Sequence, residues 1–185
     1  LNGLEMLFGV PGTFGGAIYG NAGVPGNEIG QFVKSVTVFN AADGVREKQA
    51  NEIIFGYRHT SLCENGEIIL RVTIKLKKGT KEKSKELIKK INEIRIGKQP
   101  TGYSAGSFFK NPSKDQPAGL LIDQCGLKGT RIGDAEISLK HGNFLLNKGA
   151  ATANQILELA DIAKQKVKEK FGVNLEMEVK IIGDL

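Results

Sequence analysis

The 185-residue sequence has no tryptophan, two cysteines and two histidines. Cys63 and Cys125 lie far apart and in no CxxC pair, so a zinc site would have to gather both with His59 and His141 from across the chain. Metal chemistry is disfavoured on that count, and two buried or half-buried thiols in a reducing cytosol is the plainer reading. Apolar runs are short and broken by glycine or charge, which excludes a membrane-spanning helix. Leu1-Asn2-Gly3-Leu4-Glu5 has neither the basic nor the apolar stretch of a signal peptide, and no initiator methionine precedes it. Neither GxGxxG nor GxxxxGK(S/T) occurs, so the ordinary dinucleotide and P-loop readings fail on spacing.

What remains is ordinary globular composition, 40% apolar and 25% charged, enough for one domain or two small ones. The net charge of +6 suggests nucleic acid at first sight, yet it is local. Lys75 to Lys98 holds ten lysines and arginines against three glutamates, a net +7 that leaves −1 for the remainder. Leu87, Ile88, Ile91 and Ile94 fall there at helical spacing after Gly79-Thr80. A helix with a solvated basic face is therefore preferred over a phosphate-backbone footprint. No RNP aromatics or recognition-helix pattern accompanies it.

Glycine is the one excess, 24 of 185 residues with nine of them in residues 1–30. The stretches Gly9-Val10-Pro11-Gly12-Thr13-Phe14-Gly15-Gly16-Ala17 and Gly20-Asn21-Ala22-Gly23-Val24-Pro25-Gly26 are expected to avoid helix and strand interiors. Each glycine costs about 0.5–1 kcal/mol there. They read either as a turn-rich segment or as a loop whose backbone N–H groups face one ligand.

Strands are expected at Phe32 to Phe39 and at Ile69 to Leu76, the latter with Leu70, Val72, Ile74 and Leu76 on one face. A junction follows at Gly97-Lys98-Gln99-Pro100-Thr101-Gly102. Beyond it come a short helix over Ala118 to Cys125 closed by Gly126, and a strand at Phe144-Leu145-Leu146. Thr152 and Gln155 form a capping box for a helix with Ile156, Leu159, Ala160, Ala163, Val167 and Phe171 on one stripe. A final alternating strand is expected from Leu175 to Ile182. Without regular βαβ repetition the fold class is α+β.

Three places are chemically loud. In Ser104-Ala105-Gly106-Ser107-Phe108-Phe109-Lys110-Asn111-Pro112, Ser107 reads either as a turn hydroxyl or as a serine held in a dry pocket, with Lys110 and Asn111 able to grip polar groups. The GxSxG elbow is missing and neither histidine is near, so a hydrolase triad is weak. Arg58 offers a fork of donors suited to a carboxylate or phosphate. Glu178 sits opposite the apolar face of its expected strand, as a solvated residue or a functional one.

The segments GxPGTxGGAxxxNAG, YRxxS, AGSFFKNP, QxGLKGxRIGxAxIS, KHxNFLxN and LExEVxIIG follow one another in this order. The set closely resembles the UDP-N-acetylenolpyruvoylglucosamine reductases, the flavoenzymes that make UDP-N-acetylmuramate for peptidoglycan, over essentially the whole chain. The resemblance implies a bacterial cytoplasmic enzyme of cell-wall biogenesis, and so of cell shape and division. NADPH reduces bound FAD, hydride passes to C3 of the enolpyruvyl group, and a proton is delivered at C2. It implies Ser107 as the proton donor and Arg58 and Glu178 as the pair that stabilise the enol-like intermediate. Gly12, Thr13, Gly15, Gly16, Asn21 and Gly23 match the flavin-wrapping loop, and Lys98, Lys110 and Asn111 match substrate contacts.

By the same likeness, residues 1–80 are the second half of a two-part FAD-binding domain, 81–98 a basic helix and linker, and 99–185 a smaller α+β substrate-binding domain. No tyrosine-bearing insertion lies between Arg58 and Lys98, which matches the subclass without it. The family's first FAD subdomain has no counterpart upstream of Leu1, so the chain is expected to be N-terminally truncated and to need that subdomain as its partner. The alternative is a non-catalytic fragment that binds a UDP-sugar and holds no flavin.

Overall fold

Valine-rich β-branched sequence followed by Asn40 and a turn sets the centre of the first half of the molecule. The computed structural model describes residues 1–24 and 26–183; Pro25 of the glycine-rich stretch, and Asp184 and Leu185 of the expected substrate-binding domain, lie outside them. Contacts divide the chain into two units, Leu1–Ile94 and Arg95–Leu185.

In the first unit a short helix α1 (Phe14–Tyr19) leads to a hairpin of β1 (Gly23–Val24) and β2 (Asn27–Glu28). Then come β3 (Val33–Asn40), β4 (Gly44–Gln49), a second small hairpin of β5 (Phe55–Gly56) and β6 (His59–Thr60), and β7 (Ile68–Ile74). The antiparallel sheet runs in the order β4-β3-β7. Val36 and Val38 on β3 are fully buried and pack with Ile18, Ile29 and Leu62.

Two expectations are corrected here. Gly15 and Gly16 do lie in a helix, because Thr13 caps it by accepting from the Gly16 N–H at 3.0 Å and Ile18 is driven into the core. On β7 the expected apolar face breaks, since Val38 pairs with Ile69 and Thr37 with Arg71, leaving Leu70 as the extra residue of a bulge. A bulge reverses the alternation on one side of it, so Ile69 and Val72 face the core while Leu70 is 55% exposed.

Strand β4 carries no apolar alternation and was not legible as a strand. It places Arg46 opposite Val38 and Lys48 opposite Val36, on the core face of an edge strand. Glu67, its side chain fully enclosed, meets both cations, with Arg46 Nη2 at 2.6 Å and Lys48 Nζ at 2.7 Å. Burial opposes ionisation of Glu67, but the hydrogen bonds from Lys48 and Arg46 outweigh it and hold the carboxyl below the usual range.

Helix α2 (Lys81–Lys98) is the expected basic helix, and the division between the units falls inside it, at Ile94 and Arg95. The second unit holds β8 (Tyr103–Ser107), α3 (Ala118–Gln124), β9 (Arg131–Ile132), β10 (Ala135–Ile137), β11 (Phe144–Asn147) and α4 (Ala153–Phe171). Its antiparallel sheet is ordered β8-β11-β10-β9. Leu159, Ala160, Ala163 and Val167 of α4 pack into one core with Leu121 and Ile122 of α3 and Ile137 and Leu145 of the sheet.

The Thr152–Gln155 capping box is formed, and α4 ends at Gly172 with φ +70°. The chain is α+β, with antiparallel sheets and segregated helices. The expected strand from Leu175 to Ile182 is a single bridge between Met177 and Phe109. There the Glu178 N–H reaches the Phe108 carbonyl and the Glu176 carbonyl accepts from Lys110, and the ladder goes no further. No helix among the described residues is long and apolar enough to cross a membrane.

Glu67→Gln removes the negative partner of two buried-face cations and is expected to cost about 2 kcal/mol at neutral pH, read by urea denaturation. Because the folded-state carboxyl titrates below the unfolded value of about 4.3, its stabilisation is present above that value and lost as pH falls through the folded one. The gap between wild type and Glu67→Gln should therefore close in acid. A gap constant from pH 7 down to pH 3 contradicts the assignment.

Candidate functional site

The candidate residues divide between the two units: Arg58 and the glycine-rich loop in the first, and Ser107, Lys110, Asn111 and Glu178 in the second with Lys98 at the end of α2. In the first unit Thr13, Gly15 and Gly16 line a shallow cleft of about 330 Å³ with Tyr19, Glu67, Ile68 and Ile69. A Cβ on Gly15 would lie 4.0 Å from Ile69 and touch nothing nearer, so packing does not call for glycine there. Alanine would favour the helix by about 1 kcal/mol. What the missing side chain leaves is an open approach to the loop backbone, the shape a flat, phosphate-bearing cofactor requires. Gly12, at φ +132°, likewise faces open space.

Gly23 has a different task. A Cβ there would come within 2.4 Å of the Asn27 carbonyl oxygen, so the residue serves the β1–β2 pairing. Asn21 is buried, with φ +43°, and its amide bridges two backbones: Nδ2 donates to the Gly56 carbonyl at 2.8 Å and Oδ1 accepts from the Gly30 N–H at 3.0 Å. Its side chain therefore fastens the loop to the β5–β6 hairpin. Thr60 Oγ1 and Cys63 Sγ, both donating to the Tyr19 carbonyl at 3.0 Å, add to that attachment.

Arg58 occupies the second position of that hairpin's two-residue turn at φ +54°, a left-handed conformation costing a non-glycine residue about 1 kcal/mol. Its Nη1 donates to the Gly23 carbonyl at 2.8 Å, and its guanidinium lies 5.3 Å from the Tyr57 ring centre. The glycine-rich loop thus aims the arginine directly.

In the second unit Ser107 ends β8, half-buried, after Gly106 at φ +81° and before Phe108 and Phe109, which are buried edge to face at 5.2 Å. The turn-hydroxyl role belongs to Ser104, which accepts from the Gly106 N–H, whereas among the described residues no hydrogen bond engages the Ser107 hydroxyl. The half-buried Glu178 is brought beside this segment by the bond from its N–H to the Phe108 carbonyl at 2.9 Å.

Lys110 is paired with Glu176, and Asn111 Oδ1 accepts from the Ala118 N–H at the start of α3 at 3.1 Å, so both are engaged rather than simply presented. Lys98 is exposed, and its charge, after burial and that of Lys128, helps depress the His141 pKa. Asn143, within KHxNFLxN but assigned no task from sequence, binds both polar groups of the Phe109 backbone. Among the described residues no group of three or more His, Cys, Asp or Glu could hold a metal ion.

Residues 99–182 match the C-terminal domain family of UDP-N-acetylenolpyruvoylglucosamine reductase. The chain is 47% identical over 183 residues to the enzyme of that name from Thermotoga maritima, covering 98% of this chain and 64% of the relative. It is 43% identical to that from Clostridium novyi, covering 100% and 60%. The crystal structure of the reductase MurB from Thermus caldophilus superposes with a TM-score of 0.84 at 41% identity, over 97% of this chain and 64% of that one. The chain thus spans between 60% and 64% of these relatives' lengths.

Asn21→Ala should leave the buried Gly56 carbonyl and Gly30 N–H unpaired and destabilise the first unit by about 2–3 kcal/mol. Asn21→Gly keeps the left-handed backbone and isolates the amide, so a Gly variant as stable as wild type in urea would show that the bridge contributes nothing.

Proposed function

We propose that the chain, similar to the UDP-N-acetylenolpyruvoylglucosamine reductases over nearly its whole length, belongs to that family and carries the proton-delivering and flavin-approaching parts of the reductase, converting the enolpyruvyl sugar nucleotide to UDP-N-acetylmuramate for peptidoglycan. Gly12, Thr13, Gly15, Gly16 and the loop that Asn21 and Gly23 maintain would hold FAD, which, once bound and reduced by NADPH, would supply a hydride for C3. Residues 1–80 serve as the second half of the FAD-binding domain, completed by a further segment as in the longer relatives, and 99–185 as the substrate-binding domain.

The remaining steps belong to side chains. Hydride addition turns the C2–C3 double bond into an electron pair at C2, spread into the adjacent carboxylate. Arg58 binds that carboxylate, where a rigid guanidinium best meets growing negative charge. Ser107 transfers its hydroxyl proton to C2, and the resulting alkoxide recovers a proton from solvent. Serine at its ordinary pKa is a poor acid, but it is matched to a strongly basic carbanion. Glu178 shares the task of stabilising the intermediate by a hydrogen bond. Lys98, Lys110 and Asn111 receive the polar groups of the sugar nucleotide. The ion pair of Lys110 with the exposed Glu176 is cheap to exchange, since surface pairs contribute about 0–1 kcal/mol.

The observation that carries this reading is the setting of Ser107: a hydroxyl that no hydrogen bond engages among the described residues, next to two buried phenylalanines, with Glu178 tied to the next peptide. The product of the complete reading frame should be yellow and oxidise NADPH only when UDP-N-acetylglucosamine enolpyruvate is present. Ser107→Ala should slow flavin reoxidation by the substrate about 100- to 10,000-fold and leave flavin reduction by NADPH within about twofold. A colourless protein that binds the UDP-sugar supports the non-catalytic alternative, and equal loss of both half-reactions removes Ser107 from proton delivery.

A further inference from the structure

Strand β11 pairs with β8 at Phe144 and Ser107, and β11 begins at Phe144. Before Phe144 the chain is turning: the Phe144 N–H is bound to the His141 carbonyl at 3.0 Å, and the Ser138 N–H to the Phe144 carbonyl at 2.9 Å. The Phe108 N–H still finds a backbone acceptor, the Asn143 carbonyl at 2.9 Å. Phe109 finds a side chain. Its N–H donates to Asn143 Oδ1 at 2.8 Å, and its carbonyl accepts from Asn143 Nδ2 at 2.8 Å. The amide acts as a surrogate peptide, supplying both partners of the Phe109 peptide just beyond the end of the ladder.

On the opposite edge, the neighbouring peptides of the same segment hold the C-terminal tail: the Phe108 carbonyl accepts from Glu178 N–H, and the Lys110 N–H donates to the Glu176 carbonyl. One short stretch is thus fixed on one side by Asn143 and in turn fixes Glu178 on the other, with Ser107 two residues from the clamped peptide. Phe109 is 1% exposed and Asn143 3%, so no water replaces a lost partner. Asn143 is itself oriented, its N–H donating to His141 Nδ1 at 3.2 Å. Among the side chains, asparagine alone presents a donor and an acceptor at this reach; aspartate offers two acceptors, one against the Phe109 carbonyl, and glutamine is a methylene too long.

We propose that Asn143 is a positioning residue for the reductase reaction, setting the Ser107 hydroxyl and the Glu178 backbone relative to one another through the Phe109 peptide. The assignment rests on the proton-delivery reading of Ser107. Among the described residues Asn143 hydrogen-bonds neither of the two side chains, so its effect is transmitted through the backbone, where a displacement near 1 Å is enough to cost about 100-fold in rate.

The product of the complete reading frame, loaded with flavin, is compared as wild type, Asn143→Asp and Asn143→Ala by stopped flow, normalised to bound flavin. Reduction by NADPH should stay within about twofold of wild type, while reoxidation by UDP-N-acetylglucosamine enolpyruvate should fall about 100-fold, in kcat rather than KM. In the Ser107→Ala background, Asn143→Asp should bring no further loss, because the group it positions is already gone.

Equal losses in both half-reactions, additive losses in the double variant, or an Asn143→Asp enzyme as fast as wild type each overturn the assignment. If neither variant folds, Asn143→Ser, which keeps a hydroxyl beside one of the two Phe109 groups, is judged by the same comparisons. A wild type that never turns over this substrate overturns the functional reading, and this assignment with it. An active wild type with an unaffected Asn143→Asp overturns this assignment alone.

Discussion

Peptide groups at the end of a helix or strand have lost their regular partners, and both candidate segments of this protein hold such groups. The glycine-rich stretch around Asn21 lies beyond the end of α1, and the segment through Phe109 runs past the end of β8. Their peptide groups must therefore be tied down by polar atoms sent from elsewhere. In each case the sender is a buried asparagine: Asn21 bridges Gly56 and Gly30, and Asn143 brackets Phe109. An asparagine amide is a peptide group on a stem, so it continues hydrogen bonding where the ladder or helix has ended. Buried, it does so without competition from water.

The consequence for Arg58 is a chain of dependence inside the first unit. Asn21 holds the loop to the hairpin, the hairpin turn forces Arg58 into a left-handed conformation, and the Gly23 carbonyl then takes one arm of the guanidinium. A strained backbone residue kept in place by over-determination is a common mark of a functional position. Here the strain, the loop and the cation form one assembly, so a change in the loop is felt at the arginine without any new contact.

Charge is handled in two contrasting ways. Arg46 and Lys48 point to the core side of an edge strand and are met by the enclosed Glu67, which blunts the edge against pairing with another chain while keeping the charges matched. The Lys110–Glu176 pair lies where water screens it, so holding it contributes little to stability. The first arrangement favours a fixed sheet and the second a surface that can rearrange.

Much of this was legible in the residues. The capping box at Thr152, the stripe of α4, the basic helix after Thr80 and the valine-rich β3 follow from local periodicity and local hydrogen bonding, which the chain carries wherever it goes. The ordered motifs carried the resemblance to the reductases for the same reason. Strand β4 was hidden because its identity lies in its partners rather than in its own alternation. The bulge at Leu70 reversed a face that the sequence drew as continuous, and the last strand shrank to one bridge because only two of its polar groups meet Phe108 and Lys110.

Asn21 and Asn143 show the division most clearly. Their residue type and motif are sequence, whereas the partners that give them a task lie 35 and 34 positions away. Local chemistry determined which elements this chain forms. Only the tertiary fold decided which buried amide would close the gap left in each backbone, because that depends on peptides brought together from distant sequence.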